Sequence, residues 1–365
     1  MAIGVLGGGQ LGRMIALAGY PLGQRFVFLD PGGESCAGHV GSLRVGRYDD
    51  EERLQEIARK SVVVTYEFEN VPVASARFLA ELVPVYPPPR ALEVSQDRLT
   101  EKDFFASLGI PTPGYAAVSS KEELAAAVAK LGLPAVLKTR RFGYDGKGQW
   151  ILRKEEDVDA AWEALGAAQL ILEAFVPFVR EVSILAVRST TGETAFYPLV
   201  ENVHRDGILR TSCPKSDAWT PELQARAEAY AAKVLNELGY VGVLAIELFD
   251  TGSELVVNEM APRVHNSGHW TIEGAETSQF ENHVRAILGL PLGSTRMVGV
   301  SAMLNAIGRL PPREAILATP GAHLHAYGKD AAPGRKVGHV TVRADDEKTL
   351  ADVVAKLLPL VDPKT

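Results

Sequence analysis

The sequence predicts a mixed fold, α/β in its first part and α+β beyond it, with two or three domains. The chain has 365 residues, which is more than one ordinary hydrophobic core accommodates. Its first 95 residues alternate strand-like and helical patterns with short connections, as in a parallel doubly wound sheet. The middle of the chain instead has strand patterns in pairs around short glycine-containing turns, which favours antiparallel hairpins.

The first domain, residues 1–95, is predicted to be Rossmann-like. Ile3–Leu6 is an apolar run typical of a buried parallel strand, and the Gly7–Gly12 turn follows it. The next elements keep the alternation: helices Arg13–Gly19, Glu51–Lys60 and Val73–Leu82, and strands Arg25–Asp30 and Ser61–Thr65. Pro87-Pro88-Pro89 can continue neither kind of element, so the domain is predicted to end soon after it.

Residues 96–297 are predicted to form a second domain, with a lid subdomain over about 115–175. The expected helices are Ser95–Leu108, Ser120–Gly132, Val158–Leu165, Pro221–Leu238 and Thr277–Leu288. The expected strands are Pro134–Thr139, Trp150–Arg153, Leu170–Glu173, Arg180–Val187, Thr194–Val200, Val243–Phe249 and Glu254–Glu259. Residues 298–365 alternate short strands and turns before the amphipathic helix Lys348–Leu358, and they are predicted to form a small third domain.

Composition argues against several classes of function. A net charge of −7 disfavours a general nucleic-acid binder. The two cysteines, Cys36 and Cys213, provide neither a disulfide framework nor a metal quartet. No secretion signal and no run of about 18 apolar residues is visible. We therefore expect a cytoplasmic protein without nucleic-acid or membrane partners.

Two glutamates in a predicted hairpin indicate a metal site. Glu247 lies within the apolar run Val243–Phe249, where an acid is unfavourable unless it is paired or ligated. Glu259 ends the second strand of the same hairpin. Carboxylate oxygens suit Mg²⁺, which is commonly held by one or two carboxylates together with substrate phosphates. The alternative is a pair of exposed hairpin acids, against which the apolar neighbours count.

The register of this hairpin decides whether the two acids meet. A three-residue turn places Glu247 opposite Val257 and Glu259 opposite Ala245. Both carboxylates then lie on one face as diagonal neighbours, and they repel each other unless a cation joins them. Asn258, next to Glu259, could add a further contact near the nucleotide.

A glycine-rich turn downstream of Lys138 is a candidate phosphate loop. Gly143–Gln149 contains three glycines, which allow backbone N–H groups to approach phosphate oxygens, and Lys147 adds positive charge. The order of residues is not that of a Walker A loop. Because the turn lies between two strands, it could close over a nucleotide as a lid. A plain turn is the alternative for this segment taken alone.

The first glycine loop has two interpretations. Gly7, Gly9 and Gly12 fit the G-x-G-x-x-G pattern of dinucleotide-binding proteins, and Asp30 lies near the spacing of a ribose-binding acid. On this interpretation the protein would be an NAD-dependent oxidoreductase. The same loop could instead hold a phosphate-bearing substrate at a helix N-terminus. The rest of the chain contains no recognisable residues for hydride transfer.

Polar residues are concentrated just beyond Glu259. Arg263, His265, Asn266, Ser267 and His269 follow within ten residues. Burying such groups unpaired costs roughly 1–3 kcal/mol each, so a polar cluster at a strand end indicates a site more often than a core.

These motifs together resemble the ATP-grasp superfamily and, within it, the N5-carboxyaminoimidazole ribonucleotide synthetases of purine biosynthesis. The resemblance covers nearly the whole chain. Its signatures are Gly7–Met14, Glu67–Pro72, Gln96–Arg98, Gly143–Gln149, Asn258–His269, Tyr327–Lys329 and Pro333–His339. The pair of acids alone indicates only the superfamily.

The resemblance implies a reaction and its small-molecule partners. ATP phosphorylates bicarbonate to carboxyphosphate, and the amine of 5-aminoimidazole ribonucleotide captures the carbon dioxide that this intermediate yields. ADP and phosphate leave. The implied cofactors are ATP and Mg²⁺, bicarbonate is the co-substrate, and a homodimer is expected. Phosphoryl transfer of this kind depends on cations more than on a covalent nucleophile.

The resemblance also implies the roles of individual residues. Those assigned to ATP are Arg98, Lys138, Gly143, Tyr144, Asp145, Gly146, Lys147, Gly148, Gln149, Glu173, Ala174, Phe175, Val176, Glu181, His204, Asn258 and Glu259. Those assigned to catalysis are Arg263, His265, Asn266, Tyr144 and Asp145. Those assigned to the ribonucleotide are Gly9, Gln10, Leu11, Glu67, Lys329, Arg335 and Lys336, and those assigned to Mg²⁺ are Glu247 and Glu259.

The chain departs from the family pattern just before Pro333. Ala331-Ala332 stands before Pro333, where the family pattern leads us to expect an arginine, so one cation at the substrate phosphate is missing or supplied elsewhere. Another ligase of the same fold, such as a formate-using glycinamide ribonucleotide transformylase, is an alternative function. A non-catalytic nucleotide-binding protein is another.

Overall fold

The computed structural model describes residues 1–143, 146–166, 168–214 and 219–362. Their strands form three sheets of four, four and nine strands. The described helices include none that is both long and apolar enough to cross a membrane.

The N-terminal region is a parallel sheet with strand order β3-β2-β1-β4. Its elements are β1 (Ala2–Leu6), α1 (Gln10–Gly19), β2 (Phe26–Asp30), β3 (Ser42–Val45), α2 (Glu51–Lys60), β4 (Ser61–Tyr66), α3 (Val73–Ala80) and α4 (Pro89–Ser95). Short 3₁₀ helices cover Tyr20–Leu22 and Cys36–Val40. The predicted Rossmann-like arrangement is confirmed, because consecutive strands are parallel and helices connect them.

A small antiparallel sheet follows, with strand order β5-β8-β6-β7. The elements of this region are α5 (Arg98–Ser107), β5 (Tyr115–Val118), α6 (Lys121–Leu131), β6 (Ala135–Thr139), β7 (Gln149–Leu152), α7 (Asp157–Leu165) and β8 (Leu170–Ala174). Ser120 caps α6 by accepting from the N–H of Glu123, as the first residue of a capping box does.

The large sheet holds the remaining strands in the order β14-β13-β9-β11-β12-β15-β17-β16, with β10 beside β9. Its strands are β9 (Arg180–Arg188), β10 (Thr194–Phe196), β11 (Val200–Arg205), β12 (Ile208–Pro214), β13 (Gly242–Asp250), β14 (Leu255–Ala261), β15 (Val300–Ile307), β16 (Ala322–Ala326) and β17 (Lys336–Ala344). Its helices are α8 (Pro221–Glu237), α9 (Thr271–Gly274), α10 (Gln279–Ile287), α11 (Arg313–Leu317) and α12 (Glu347–Val361), with a 3₁₀ turn at Asn266–Gly268.

The large sheet continues across the predicted boundary between residues 297 and 298. Thr211 pairs with Leu304 and Ser212 with Met303, which joins β12 to β15. The C-terminal strands therefore extend the sheet that carries the β13–β14 hairpin, and they form the end of that sheet opposite to β14.

Two predicted elements are wrong in extent. The helix predicted over Ser95–Leu108 is interrupted, because Asp97 accepts from the N–H groups of Leu99 (3.0 Å) and Thr100 (3.3 Å) and thereby caps a new helix that begins at Arg98. The strand predicted over Thr194–Val200 is two strands. Between them the N–H of Leu199 donates to the Gln224 side chain at 2.9 Å instead of to a neighbouring strand.

The large sheet is covered on both faces. One face packs against α5 and α8, with Phe105 and Val234 in the shared core. The other packs against α10 and, through it, against α1 of the N-terminal region, with Ile15 and Phe280 fully buried. The edge strand β14 thus lies beside α5, where the large sheet, the N-terminal region and the small sheet meet.

Candidate active site

Glu247 and Glu259 lie directly opposite each other on β13 and β14. The predicted register, with Glu247 opposite Val257, is wrong. Val257 pairs with Leu248, and the register then shifts by one residue, so that Asn258 is an extra, bulged residue in β14. The prediction that the two acids share one face holds, and they are closer neighbours than it supposed.

The bulge is what brings the second acid to the first. If the register of the outer hairpin continued, Asn258 would lie opposite Glu247 and Glu259 would point to the other face of the sheet. The extra residue restores the alternation one step later. The alternation of apolar and polar residues along a strand does not predict this bulge, because the bulge depends on where the pairing of the two strands is interrupted.

Each glutamate has one cationic or hydrogen-bonding neighbour. Arg98 Nη1 lies 2.5 Å from Glu259 Oε2, and His265 Nε2 lies 3.3 Å from Glu247 Oε1. Burial, reinforced by the charge of Glu259, raises the pKa of Glu247 to about 7. Burial also opposes ionisation of Glu259, but the charge and hydrogen bond of Arg98 prevail and lower its pKa to about 2. The two facing carboxyls therefore do not both ionise readily without a further cation.

The donor set around this pair fits Mg²⁺. Asn258 Oδ1 is buried and accepts no hydrogen bond from any described residue. Together with the two carboxylates it supplies only oxygen ligands, which Mg²⁺ prefers. In the described part of the chain, no group of three or more His, Cys, Asp or Glu side chains is arranged to hold a metal ion. The remaining ligands of a Mg²⁺ ion here would come from substrate phosphates and water.

The two acids line a cleft together with Arg98, Arg263 and His265. The other lining residues are Glu69, Asn70, Ser95, Gln96, Glu101, Arg140, Phe142, Gly143, Met260 and Ala261. The cleft thus joins three segments of the chain: the loop after β4, the start of α5 and the segment after β14.

Within the segment after β14, Arg263 and His265 face this cleft. The Arg263 guanidinium donates to the Glu69 carboxylate and, at 3.0 Å, to the Val264 carbonyl. Burial, with the nearby charge of Arg263, lowers the pKa of His265 well below its usual value, so its imidazole is neutral. The N–H of Ser267 donates to His265 Nδ1 at 3.3 Å, which assigns the ring proton to Nε2, the atom facing Glu247.

Asn266 is oriented differently. Its amide forms a reciprocal pair with that of Asn305 on β15, at 3.1 and 2.8 Å, and it does not line the cleft that the described residues form. Its predicted contact with bicarbonate or the amine stays a prediction, and the observed contacts attach the segment to the C-terminal strands.

Buried acids and lysines lie together on the predicted nucleotide side. Lys138 Nζ donates to Glu173 Oε2 at 2.9 Å. Burial opposes the ionisation of Glu173, but Lys138 and Lys102 lower its pKa below the usual value. Glu173 Oε1 is buried and accepts from no described donor. Such an oxygen can accept a hydrogen bond from a ligand.

The segment beyond Glu173 is more open. Ala174 ends β8, and the Phe175 side chain is 40% exposed, with Val176 following it. Nearby, Glu181 Oε2 lies 2.9 Å from His204 Nδ1. This pair joins β9 and β11, whose strands are neighbours in the large sheet.

The glycine-rich turn lies between β6 and β7. Gly143, Gly146, Lys147, Gly148 and Gln149 are placed there, whereas Tyr144 and Asp145 lie outside the described residues. A Cβ on Gly143 would come within 3.5 Å of the Arg98 guanidinium, and one on Gly146 within 2.9 Å of Gly207 Cα in the β11–β12 turn. The turn thus borders the cleft and contacts the opposite wall, as expected of a lid.

The dinucleotide interpretation of the first glycine loop is not supported by its contacts. Asp30 accepts from the N–H groups of Gly8 (2.7 Å) and Gly32 (2.8 Å), from Ser35 Oγ (2.5 Å) and from the Tyr48 hydroxyl (3.0 Å). Its carboxylate thus holds the loop together. An acid with four internal donors is not placed to bind a ribose.

Glu67 occupies the N–H groups that a pyrophosphate would use. The N–H groups of Gly9 and Gly12 donate to its two carboxylate oxygens at 2.8 and 3.2 Å. Burial raises the pKa of Glu67, and these hydrogen bonds oppose that effect. Leu11 is buried beneath the loop.

The three predicted phosphate-binding cations of the C-terminal region are in different environments. Lys329 Nζ donates to Gln10 Oε1, which brings this loop onto the first glycine loop. Lys336 lies near Glu247 and His265: its charge partly opposes the rise in the pKa of Glu247 and adds to the fall in that of His265. Arg335 is exposed, and its guanidinium donates to the Asp330 carbonyl at 3.2 Å.

Sequence reasoning missed Glu101, Lys102 and Glu69 as site residues. Glu101 lines the cleft, Lys102 is fully buried beside Glu173, and Glu69 holds Arg263. One signal was available: Glu101 and Lys102 stand three and four positions after Arg98 and therefore share its helix face. Glu69 belongs to the Glu67–Pro72 signature, but the sequence does not show that it forms an ion pair with Arg263.

Comparison with protein families matches the chain in three segments. Residues 1–96 match the ribonucleotide synthetase preATP-grasp domain, residues 103–280 the ATP-grasp domain, and residues 301–352 the phosphoribosylaminoimidazole carboxylase C-terminal domain. The chain is 55% identical over 362 residues to the N5-carboxyaminoimidazole ribonucleotide synthase of Pseudomonas aeruginosa, covering 99% of this chain and 100% of that protein.

Solved structures agree. A crystal structure of N5-carboxyaminoimidazole ribonucleotide synthetase from Thermus thermophilus has a TM-score of 0.95 and 59% identity, with 99% of this chain and 98% of that one covered. The synthase of Aspergillus clavatus, in complex with ADP and 5-aminoimidazole ribonucleotide, has a TM-score of 0.92 and 31% identity, with 99% and 98% covered. The similarity therefore extends over all three regions of the fold.

Proposed function

The chain belongs to the N5-carboxyaminoimidazole ribonucleotide synthase family, and we propose how its residues divide the reaction. It is an ATP-dependent ligase of purine biosynthesis that carboxylates 5-aminoimidazole ribonucleotide. We propose bicarbonate as the source of the carboxyl group. A bicarbonate oxygen attacks the γ-phosphorus of ATP, ADP leaves, and carboxyphosphate forms. Carbon dioxide released from it with phosphate is then captured by the amine, which loses a proton as the N–C bond forms.

The ATP site is proposed to lie between the small sheet and the large sheet. Lys138, Arg98 and the turn 143–149 supply cationic and N–H donors for the phosphates. Glu173–Val176 would run along the adenine, and Glu173 Oε1, a buried acceptor without a described donor, could accept from its amino group. Glu181, with His204 beside it, would accept from the ribose.

Glu247 and Glu259 are proposed to hold Mg²⁺, with Asn258 beside them. The facing carboxylates and the orphaned amide oxygen support this assignment. Mg²⁺ at this place would neutralise charge on the phosphate oxygens of ATP. Arg98, which holds Glu259 at 2.5 Å, is then free to turn toward the phosphates.

Arg263 and His265 are proposed to face bicarbonate and the reacting amine, with Asn266, Tyr144 and Asp145 nearby. A fixed guanidinium suits an anionic co-substrate. The neutral His265 ring can orient the co-substrate through the Nε2 proton that now faces Glu247. Closure of the 143–149 turn would exclude water from carboxyphosphate, which hydrolyses readily.

The ribonucleotide is proposed to lie between the first glycine loop and the C-terminal loop. Lys329, Arg335 and Lys336 would neutralise its phosphate. Gly9, Gln10, Leu11 and Glu67 would form the opposite wall. The Lys329–Gln10 contact supports this placement because it joins the two walls.

The observation that carries this proposal is the cleft that brings the acid pair together with Arg98, Arg263 and His265. We expect ADP release to require bicarbonate and to be stimulated by 5-aminoimidazole ribonucleotide. Glu259→Ala should lower this turnover by about 100-fold or more. Glu276→Ala, an acid on the surface, serves as the control. Stimulation by formate and glycinamide ribonucleotide instead, or full activity of Glu259→Ala, would contradict the proposal.

We further propose that the protein acts as a homodimer in the cytoplasm. The family resemblance supports the dimer, and the composition supports the location. Sedimentation velocity should give a mass near twice that of the 39.3 kDa chain, and a monomer at micromolar concentration would exclude the dimer.

A further inference from the structure

Helix α5 supports β14 in the place where another strand would normally lie. β14 is the edge strand of the large sheet, so one side of its backbone has no strand partner. The N–H of Met260 donates instead to Glu101 Oε1 at 2.8 Å, and that of Val257 donates to the Pro111 carbonyl at 2.8 Å. Side-chain and loop oxygens thus replace a ladder along the strand that carries Glu259.

Lys102 completes this replacement at the bulge. It is fully buried, and its Nζ donates to the carbonyl of Asn258 at 2.5 Å and to that of Val257 at 3.2 Å. Together with Glu101 it therefore holds the backbone on both sides of Glu259. The lysine binds the peptide just before that residue, and Glu101 binds the one just after it.

Lys102 also reaches the predicted adenine side of the cleft. Its Nζ lies 3.6 Å from Glu173 Oε2, the oxygen that also accepts from Lys138 at 2.9 Å. One buried ammonium thus contacts the bulge in β14 and the acid at the end of β8. A fully buried lysine is rare, and its burial is costly unless it is paired in this way.

We propose that Lys102, assisted by Glu101, is a positioning residue that holds the bulge so that Glu259 faces Glu247, and that couples this arrangement to nucleotide bound at Glu173. The inference rests on the proposed Mg²⁺ and ATP sites. Lys102 is not proposed to contact the Mg²⁺ ion or the nucleotide itself. It acts through the backbone of Asn258 and through Glu173.

The test is the gain in ADP affinity that Mg²⁺ produces, measured by titration calorimetry with the full-length protein. Lys102→Met keeps the length of the side chain and removes its charge and donors. We expect it to reduce the Mg²⁺-dependent gain by about tenfold to a hundredfold, as loss of charged hydrogen bonds does. Affinity for ADP without Mg²⁺ should change by less than about threefold, since Lys138 still pairs with Glu173.

Lys233→Met is the matched control. Lys233 Nζ also donates to a carbonyl, that of Leu108 at 3.0 Å, but it lies on the exposed side of α8, away from the acid pair. This variant should bind ADP and Mg²⁺ as the unmodified protein does. Glu101→Leu removes the other arm of the support and should also reduce the Mg²⁺-dependent gain, so the inference stays testable if Lys102→Met does not fold.

The outcomes separate this inference from the proposed function. If Lys102→Met keeps the full Mg²⁺-dependent gain in ADP affinity, the positioning role is wrong, whereas the proposed metal site is unaffected. If Lys102→Met does not fold, the same result with Glu101→Leu has the same meaning. An equal loss of ADP affinity with and without Mg²⁺ would also overturn it, because that pattern reports general disruption of the site. If the unmodified protein shows no Mg²⁺-dependent gain, the proposed metal site itself fails.

Discussion

The β13–β14 hairpin contains two acids, and the first glycine loop is contacted by two others, but the contacts of the two pairs differ. In the hairpin, two buried carboxyls face each other, and burial with the charge of Glu259 raises the pKa of Glu247 to about 7. At the glycine loop, Asp30 from the end of β2 and Glu67 from the end of β4 accept from backbone N–H groups of the loop.

This difference in hydrogen-bond partners distinguishes an acid that stabilises the fold from one that can bind a ligand. An acid whose oxygens all have internal donors stabilises the fold and has little to offer a ligand. Two acids that face each other repel when both are ionised, and the amide oxygen beside them has no described donor. A cation bound between them would satisfy all of these oxygens. The hairpin is therefore the stronger candidate for metal and nucleotide, although the glycine pattern of the loop is the more familiar motif.

The largest expected effect that tests this contrast comes from Glu247→Gln. This change keeps the size of the side chain and removes its charge, so the Mg²⁺ concentration for half-maximal turnover should rise by at least about tenfold. Glu254→Gln changes an exposed acid of the same hairpin and serves as the control. A Mg²⁺ dependence unchanged by Glu247→Gln would place the metal elsewhere.

Asp30→Ala should have a smaller effect, and one of a different kind. It leaves the N–H groups of Gly8 and Gly32 and two hydroxyls without their acceptor, so the free energy of unfolding should fall by about 1–3 kcal/mol. ADP affinity and its Mg²⁺ dependence should not change. Urea unfolding and calorimetry measure the two effects, with the exposed Asp49→Ala as control. Loss of ADP binding in a folded Asp30→Ala protein would revive the dinucleotide interpretation.

The smallest expected effect concerns His204. Burial disfavours its charged form, but the hydrogen bond and charge of Glu181, with Glu247, raise its pKa above the usual 6.5. A raised pKa means that the charged pair stabilises the fold fully below pH 6.5 and that this contribution is lost as the pH rises through the folded pKa.

His204→Gln should therefore cost about 1 kcal/mol or less near pH 6, and less still at pH 9. Thermal unfolding at the two pH values measures this difference, with the exposed His323→Gln as control. A cost that grows with pH would show that the pair is not charged in the folded protein.

Much of the fold could be predicted from hydrophobic periodicity. The parallel sheet of the N-terminal region and most helices were found because each depends on a local pattern and on its caps, as at Ser120. The break between α4 and α5 was missed because Asp97, a single capping residue, outweighs an otherwise continuous helical pattern.

The sequence names several residues that line the cleft, among them Arg98, Glu247 and Glu259, but it does not predict their geometry. Glu247 and Glu259 were identified from their apolar setting, whereas the bulge at Asn258 depends on Lys102, which is 156 positions away in sequence. In the same way, the structural role of Asp30 depends on which donors surround it in the folded loop. Distant partners decide both cases, and a single sequence does not display them.

A crystal structure with Mg²⁺ and a non-hydrolysable ATP analogue tests the central claim most directly. We predict one Mg²⁺ ion with a carboxylate oxygen from each of Glu247 and Glu259 at about 2.0–2.1 Å, and with Arg98 turned toward the phosphates. The ATP analogue bound at the first glycine loop, or Mg²⁺ bound away from this pair of acids, would contradict the account.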